Sequence, residues 1–317
     1  MYKQDTIKAL FPEYMRHYFR NIIKDYEEVN EVRVRRNGPL HIIKGKNNLY
    51  VTKDGTYTDI PILGVRLTER EFSNLFHHIC RHSVYAFEEE LCKGYLTVEG
   101  GHRVGVVGQT VWDGREIKSL KYFTAFNIRI AHEIKGVADR IMPFIYKNKS
   151  LCSTLIVSPP GCGKTTLLRD LVRKVSNGSR EHLPQNVSLI DERSEIASCY
   201  LGEAQNDVGL HTDILDACPK AVGMIMALRT MSPGVIAVDE LGGEEDYNAM
   251  RQAFYLGCRI LATIHGNGYE MLQSNPYMQN MFAQGGFERI VILERHSGEQ
   301  SIQICDEKGE VIQCFLN

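Results

Sequence analysis

Lys164 and Thr165 close a run rich in glycine and proline, Ser158-Pro159-Pro160-Gly161-Cys162-Gly163, and Thr166 follows them. The run leaves an apolar stretch, Leu155-Ile156-Val157, and enters a second apolar pattern at Leu167, Leu168, Leu171 and Val172. A buried strand that feeds a glycine-rich turn and then a helix aims several backbone N–H groups and the positive end of the helix dipole at one point, which suits a polyphosphate. Residues 158–166 are therefore a candidate cradle for ATP, with the Lys164 ammonium on the β- and γ-phosphates and the Thr165 hydroxyl on Mg²⁺. The spacing follows G-x-x-x-x-G-K-[ST] except at the first glycine, where Ser158 stands; serine is tolerated there if its φ is negative.

Hydrolysis also needs acids beside the cradle. The continuous apolar run Val235-Ile236-Ala237-Val238 ends in Asp239-Glu240, as a strand buried on both faces would. Asp239 is the candidate for the Mg²⁺ shell and Glu240 the candidate base that activates the attacking water. A second apolar run, Val187-Ser188-Leu189-Ile190, ends in Asp191-Glu192-Arg193-Ser194-Glu195, which makes Glu192 a further catalytic candidate, with Glu195 behind it. A third, 259–264, ends in His265-Gly266, and a polar residue at such a strand end can sense the γ-phosphate.

These residues meet only if a parallel sheet brings the carboxyl ends of its strands to one edge. The order strand, glycine-rich loop, helix, strand after residue 150 predicts such an α/β domain over 134–317. Residues 1–133 predict an α+β domain. Helical periodicity over 7–28 gives one or two amphipathic helices, and Val32-Arg33-Val34-Arg35 alternates as a strand. Thr68 with Glu71 is a capping-box pattern that starts a helix running to about His82; a further helix includes 87–93. Strands are expected at 95–98, 103–108 and 127–131, with Gly100-Gly101 as a tight turn. Residues 136–147 carry a helical period, and 148–150 read as a loop.

The chain of 317 residues is long enough to bury about three quarters of its unfolded surface. Its nine cysteines include no C-x-x-C pair, which argues against a disulfide framework or a zinc site. No run reaches 18 uncharged apolar residues and the start lacks the apolar core of a signal peptide, so a cytosolic protein is expected. The net charge of −2 gives no global attraction to nucleic acid. Residues 1–53 nevertheless hold eleven Lys or Arg against six Asp or Glu, densest at Arg33, Arg35, Arg36, Lys44 and Lys46. That cluster is either a solvated strand face or a docking patch.

Over 151–270 the phosphate loop, the acidic box 191–195, the acidic strand 235–242 and the histidine box 262–266 resemble, in this order, the secretion ATPases of type II and type IV systems. The whole chain, through Gly100-Gly101-His102-Arg103-Val104-Gly105, Asn127-Ile128-Arg129-Ile130 and the wording of 158–170, is similar to the stage III sporulation protein AA family of endospore-forming bacteria. The resemblance implies a RecA-like P-loop ATPase domain and an ATP-hydrolysing motor. It further implies a homo-oligomeric ring, a hexamer, in the cytoplasm at the inner face of the mother-cell membrane. There the ring would sit at the base of a channel to the forespore, held by membrane channel proteins. Arginines from the N-terminal domain or a neighbouring subunit would reach the γ-phosphate: Arg103, Arg129, Arg193 and Arg229 are the candidates. Two other classes use a similar loop. A RecA- or helicase-like nucleic-acid-dependent ATPase is disfavoured by the acidic C-terminal half. A nucleotide-regulated scaffold with little turnover is disfavoured by the complete set Lys164, Thr165, Asp239 and Glu240.

Overall fold

Alternating apolar positions build antiparallel strands in the first part of the chain, and continuous apolar runs build parallel ones in the second. The computed structural model describes residues 3–81, 88–92, 94–296 and 299–316. Its packing divides the chain into two units, Met1–Glu133 and Ile134–Asn317.

The first unit holds β1 (Val29–Arg35), β2 (His41–Lys44), β3 (Asn47–Val51), β4 (Tyr57–Thr58), β5 (Tyr95–Val98), β6 (His102–Asp113) and β7 (Glu116–Arg129). They form one antiparallel sheet in the order β4-β3-β2-β1-β7-β6-β5. With them are the helices α1 (Lys3–Ala9), α2 (Arg16–Lys24), α3 (Glu69–Ile79) and α4 (Glu88–Cys92). One sheet face buries Val32, Val34, Val104, Phe126 and Ile128; Phe72 and Phe76 of α3 pack on Phe126 with ring centroids 5.2 and 5.9 Å away. The register sets Arg103 opposite Arg129, Arg129 opposite Glu31 and Asn127 opposite Arg33. Directly paired residues share a face, so Arg103, Arg129, Glu31, Arg33 and Arg35 line the other side. Several of the basic residues near the start of the chain are compensated locally. Arg33 pairs with Glu31 at 2.7 Å, Arg36 with Glu69 at 2.9 Å and Lys44 with Asp25 at 2.9 Å.

The second unit opens with a two-stranded ribbon, β8 (Tyr146–Lys147) and β9 (Ser150–Leu151). Its main sheet is built from β10 (Thr154–Ser158), β11 (Val187–Asp191), β12 (Thr212–Asp216), β13 (Val235–Val238), β14 (Arg259–His265), β15 (Arg289–His296), β16 (Glu299–Cys305) and β17 (Val311–Leu316). The order is β12-β11-β13-β14-β10-β15-β16-β17. The first six strands of that order run parallel, and β16 and β17 extend the edge antiparallel. Side chains alternate between two cores. Ile156, Leu189 and Ala237 face α5 (Lys164–Asn177), whereas Val157, Ile190 and Val238 face α6 (Lys220–Thr230) and α7 (Glu244–Tyr255). Two short helices, α8 (Tyr269–Ser274) and α9 (Pro276–Ala283), complete that second layer.

Several expectations change. Residues 136–147 form no α-helix: Ala138, Ile141 and Ile145 are buried as the period requires, but only a 3₁₀ turn, Met142–Phe144, and β8 form. Pro143 cannot donate within a helix interior, and long-range partners replace the helical bonds. The Asp170 carboxylate accepts from the Ala138 N–H at 2.9 Å, and Arg289 Nε donates to the Phe144 carbonyl at 2.7 Å. The loop at 148–150 is a tight β-turn, with φ of 51° at Asn148 and 64° at Lys149, as a two-residue hairpin loop demands. The strands expected at 103–108 and 127–131 are the bases of two much longer arms, β6 and β7. Their outer halves expose Trp112 and Tyr122, so no buried face marks them in the sequence. The helix begun at Thr68 ends at Ile79 among the described residues, and α4 covers Glu88–Cys92. The expected ends at 82, 87 and 93 lie outside the described residues.

The capping box forms: Thr68 N–H donates to Glu71 Oε2 at 2.8 Å and Glu71 N–H to Thr68 Oγ1 at 3.3 Å. Thr68→Ala should cost about 1 kcal/mol, read as a lower urea midpoint at unchanged slope. An unshifted midpoint would show that α3 is held by its packing alone.

Candidate active site

Strand register brings the polar residues to one edge. Ser158 at the end of β10 lies beside His265 at the end of β14. Val238, one residue before Asp239, is flanked by Ile190 and Ala262. Ser158 is fully buried and outside the left-handed region, so it meets the condition its position imposes, and its hydroxyl donates to the Pro159 carbonyl at 2.9 Å. Gly161 has φ 78° and Gly163, which caps α5, has φ 89°. Those left-handed turns favour glycine and lie at the start of α5, where a helix leaves its first N–H groups unpaired and can bind an anion.

Three polar side chains from three segments interlock at that edge. Thr165 Oγ1 donates to Asp239 Oδ2 at 2.7 Å, and the Thr263 hydroxyl donates to Asp239 Oδ1. The Thr263 oxygen also accepts the Glu240 N–H at 2.8 Å. This matters because Glu240 has φ 55°, a conformation that costs energy in a residue with a side chain and recurs at functional sites. From there the Glu240 carboxylate reaches three cationic or titratable groups. Lys164 Nζ is 3.0 Å from Oε1, His265 Nε2 is 2.9 Å from Oε1, and Arg193 Nη1 is 2.8 Å from Oε2. Lys164 is buried, with its Nζ 3.2 Å from the His265 ring. Burial pushes the Glu240 carboxyl up, but Lys164, Arg193 and His265 together outweigh it and hold it below its usual range.

The other acidic box behaves differently. Asp191 is buried and accepts the backbone N–H groups of Glu195, Ile196 and Ala197 at 2.9, 2.9 and 2.8 Å. Burial raises its carboxyl above the ordinary value despite those bonds. Asp191 thus shapes the loop that carries Arg193. Glu192 does not join the cluster around Glu240: it pairs with Lys220 at the start of α6. The carbonyl of Glu195 accepts from Arg169 at 2.6 Å. Within one chain, Arg229 stands away from this cluster. It lies in the last turn of α6, and α6 runs back to the amino ends of the strands, where Gly234 meets Asn186 and Arg259. Asp239 and Glu240 are at the opposite edge. Arg103 and Arg129 belong to the first unit, where Arg103 stacks on Tyr95 at 5.0 Å and Arg129 is 3.7 Å from Glu31.

A cavity of about 450 Å³ adjoins the glycine turn, lined by Gly161, Cys162, Gly163 and Thr166 together with Val137, Arg140, Leu293, Arg295 and Ile302. The lining from β15 and β16 lies beyond the histidine box, the last motif legible in the sequence. Its only signal is the continuous apolar run 290–293 in β15 and the alternation of Ile302 with Ile304 in β16. Among the described residues no group of three or more His, Cys, Asp or Glu could hold a metal unaided. The Thr165 hydroxyl against the Asp239 carboxylate instead fits Mg²⁺, which keeps several waters and takes further ligands from phosphates.

The profile of the family described as "Sporulation stage III, protein AA" matches residues 1–312. Stage III sporulation protein AA of Bacillus subtilis (strain 168) is 38% identical over 310 residues, covering 97% of each chain. Among solved structures, the pilus retraction motor PilT with bound ADP aligns with a TM-score of 0.58 at 16% identity, over 92% of this chain and 82% of that one. The Legionella pneumophila ATPase DotB aligns with a TM-score of 0.56 at 15% identity, over 90% of this chain and 76% of that one. The chain therefore shares its fold with PilT and DotB.

Thr263→Val keeps the shape but strips the bond that holds the Glu240 N–H, so it should destabilise the chain by about 1–3 kcal/mol. Thr263→Ser should retain most of the stability. Equal urea midpoints for Thr263→Val and wild type would mean that the hydroxyl does not support the left-handed turn.

Proposed function

The chain belongs to the sporulation stage III protein AA family, and from that premise we propose that it hydrolyses ATP and works as a ring-shaped motor. The observation that carries the reading is the convergence of Lys164, Thr165, Asp239, Glu240 and His265 on one edge beside a left-handed glycine turn. In this reading residues 158–166 cradle the phosphates through backbone N–H groups and Lys164. The cavity beside them receives base and ribose between Val137, Leu293 and Ile302, with Arg140 and Arg295 at its polar side.

Thr165 and Asp239 would hold Mg²⁺. When bound, the ion would supply neutralisation of the charge on the terminal phosphates. Glu240 orients the attacking water and takes its proton, with His265 beside it as a sensor of the terminal phosphate. Glu192, paired with Lys220, has no support as the base.

The ring is the finer part of the proposal. The cationic sheet face of the first unit, with Arg103 directly opposite Arg129, supports the view that these two arginines are delivered to the γ-phosphate when subunits assemble, as a hexamer. Among the described residues no helix is long and apolar enough to cross a membrane. We place the ring in the cytoplasm, peripheral to the mother-cell membrane and docked on channel proteins of the sporulation complex.

Lys164→Ala should abolish the thermal stabilisation that Mg-ATP gives the wild type, while Glu240→Gln should keep it and hydrolyse about 10² to 10⁴ times more slowly. A Lys164→Ala chain stabilised as much as wild type would sink the phosphate-cradle reading, and undiminished turnover in Glu240→Gln would remove Glu240 from the chemistry.

If an arginine arrives from another domain or subunit, turnover per subunit should rise with protein concentration. Arg129→Ala, and less so Arg103→Ala, should then lower turnover by about 10³ or more with little change in ATP affinity. Flat specific activity across a dilution that dissociates the oligomer, with both variants fully active, would show a monomeric ATPase.

A further inference from the structure

Arg193 touches the same carboxylate as the phosphate-loop lysine, yet from the opposite oxygen and from a different loop. Lys164 holds Glu240 Oε1 at 3.0 Å and Arg193 holds Oε2 at 2.8 Å. With His265 Nε2 also 2.9 Å from Oε1, both oxygens of the carboxylate are engaged, and Arg193 alone holds Oε2. The two cations differ in access, because the Lys164 side chain is 7% exposed and that of Arg193 65% exposed. The loop that presents Arg193 is not loose at its root. Asp191, buried, gathers three consecutive N–H groups, Glu195 to Ala197, and Arg169 holds the carbonyls of Glu195 and Ile196 at 2.6 Å each.

We propose that Arg193 and Glu240 form a latch that reads the terminal phosphoryl group: Arg193 holds the general base off until a triphosphate displaces it, and a diphosphate leaves the latch shut. The inference rests on the ATPase reading of the site and adds the discrimination of ATP from ADP to it. A diphosphate that draws Lys164 away competes for one oxygen of Glu240 only. A γ-phosphoryl group carries enough negative charge to take the guanidinium too, with two parallel N–H···O bonds available to a planar fork. Only then is Glu240 free of both strong partners and able to accept a proton from water. The same exchange moves Arg193 onto the charge that develops in the transition state. Arg193 is thereby a specificity-determining residue supplied by the same chain, distinct from Arg103 and Arg129 of the first unit, and Asp191 is its positioning residue.

The test is equilibrium binding of ADP and of a non-hydrolysable ATP analogue, each with Mg²⁺, to the full-length wild type, Arg193→Ala, Arg193→Lys and Glu240→Gln. In Arg193→Ala the analogue should bind about tenfold or more weakly while ADP affinity stays within about twofold, since a hydrogen-bonded charge contact is lost in one complex only. Arg193→Lys should recover part of the difference, because charge is kept and the fork is lost. Glu240→Gln should bind both nucleotides more tightly than wild type, as its amide no longer competes for Lys164. Equal weakening of ADP and analogue in Arg193→Ala, or no change in either, overturns the latch; so does a Glu240→Gln chain that binds neither more tightly. Failure of the wild type itself to bind either nucleotide overturns the ATPase reading instead, and the two failures are thus separate.

Discussion

The strand Thr154–Ser158 has no face in water: its five residues are all buried, between β14 on one side and β15 on the other. A strand so enclosed can carry polar chemistry only where it stops, and every neighbouring parallel strand is under the same constraint. Leu155 and Val157 fill one core and Ile156 the other, so the first position at which the backbone can turn to solvent is the glycine loop. The same reasoning applies to β11 and β13, whose buried runs end at Asp191 and just before Asp239. The site is the set of polar residues that the packing of the sheet expels at one edge.

At that edge two carboxylates of similar sequence setting have opposite fates. Asp191 turns inward and spends its acceptors on backbone N–H groups, so burial is the dominant influence on it. Glu240 turns outward through a left-handed φ and gathers cations, which hold its proton affinity down. The outward turn of Glu240 is held by Thr263, which is fully buried on the adjacent strand and binds both Asp239 and the Glu240 N–H. A single hydroxyl therefore couples the Asp239 carboxylate to the backbone of Glu240.

The first unit follows another logic. Its antiparallel sheet is covered on one face by helices, with Phe72 and Phe76 on Phe126, and its other face is free to carry charge. Register, with Arg103 against Arg129 against Glu31, concentrates arginines there at the cost of like-charge proximity. Glu31 relieves part of it by contacting Arg33, Asn127 and Arg129.

Much of this was legible before any coordinates. The α/β class, the parallel strands ending in acids and the family resemblance all followed from continuous apolar runs placed just before Lys164, Asp239 and His265, because local periodicity and chain order carry that information. Residues 136–147 depart from the helix their apolar spacing predicts because their hydrogen-bond partners, Asp170 and Arg289, lie 32 and 145 positions away from Ala138 and Phe144. Glu192 and Glu240 looked alike as acids at strand ends. Only the fold decided that one meets Lys220 and the other Lys164, Arg193 and His265. Long arms with exposed aromatics left no local trace either, and the apolar residues of β15 and β16 showed strands but not the cavity they line. Sequence by itself determined which segments are buried strands and which residues stand at their ends, since both are properties of neighbours in the chain. Which of those residues share a charge was decided by tertiary structure alone, because a contact between residues 164, 193, 240 and 265 exists only once the sheet has set its register.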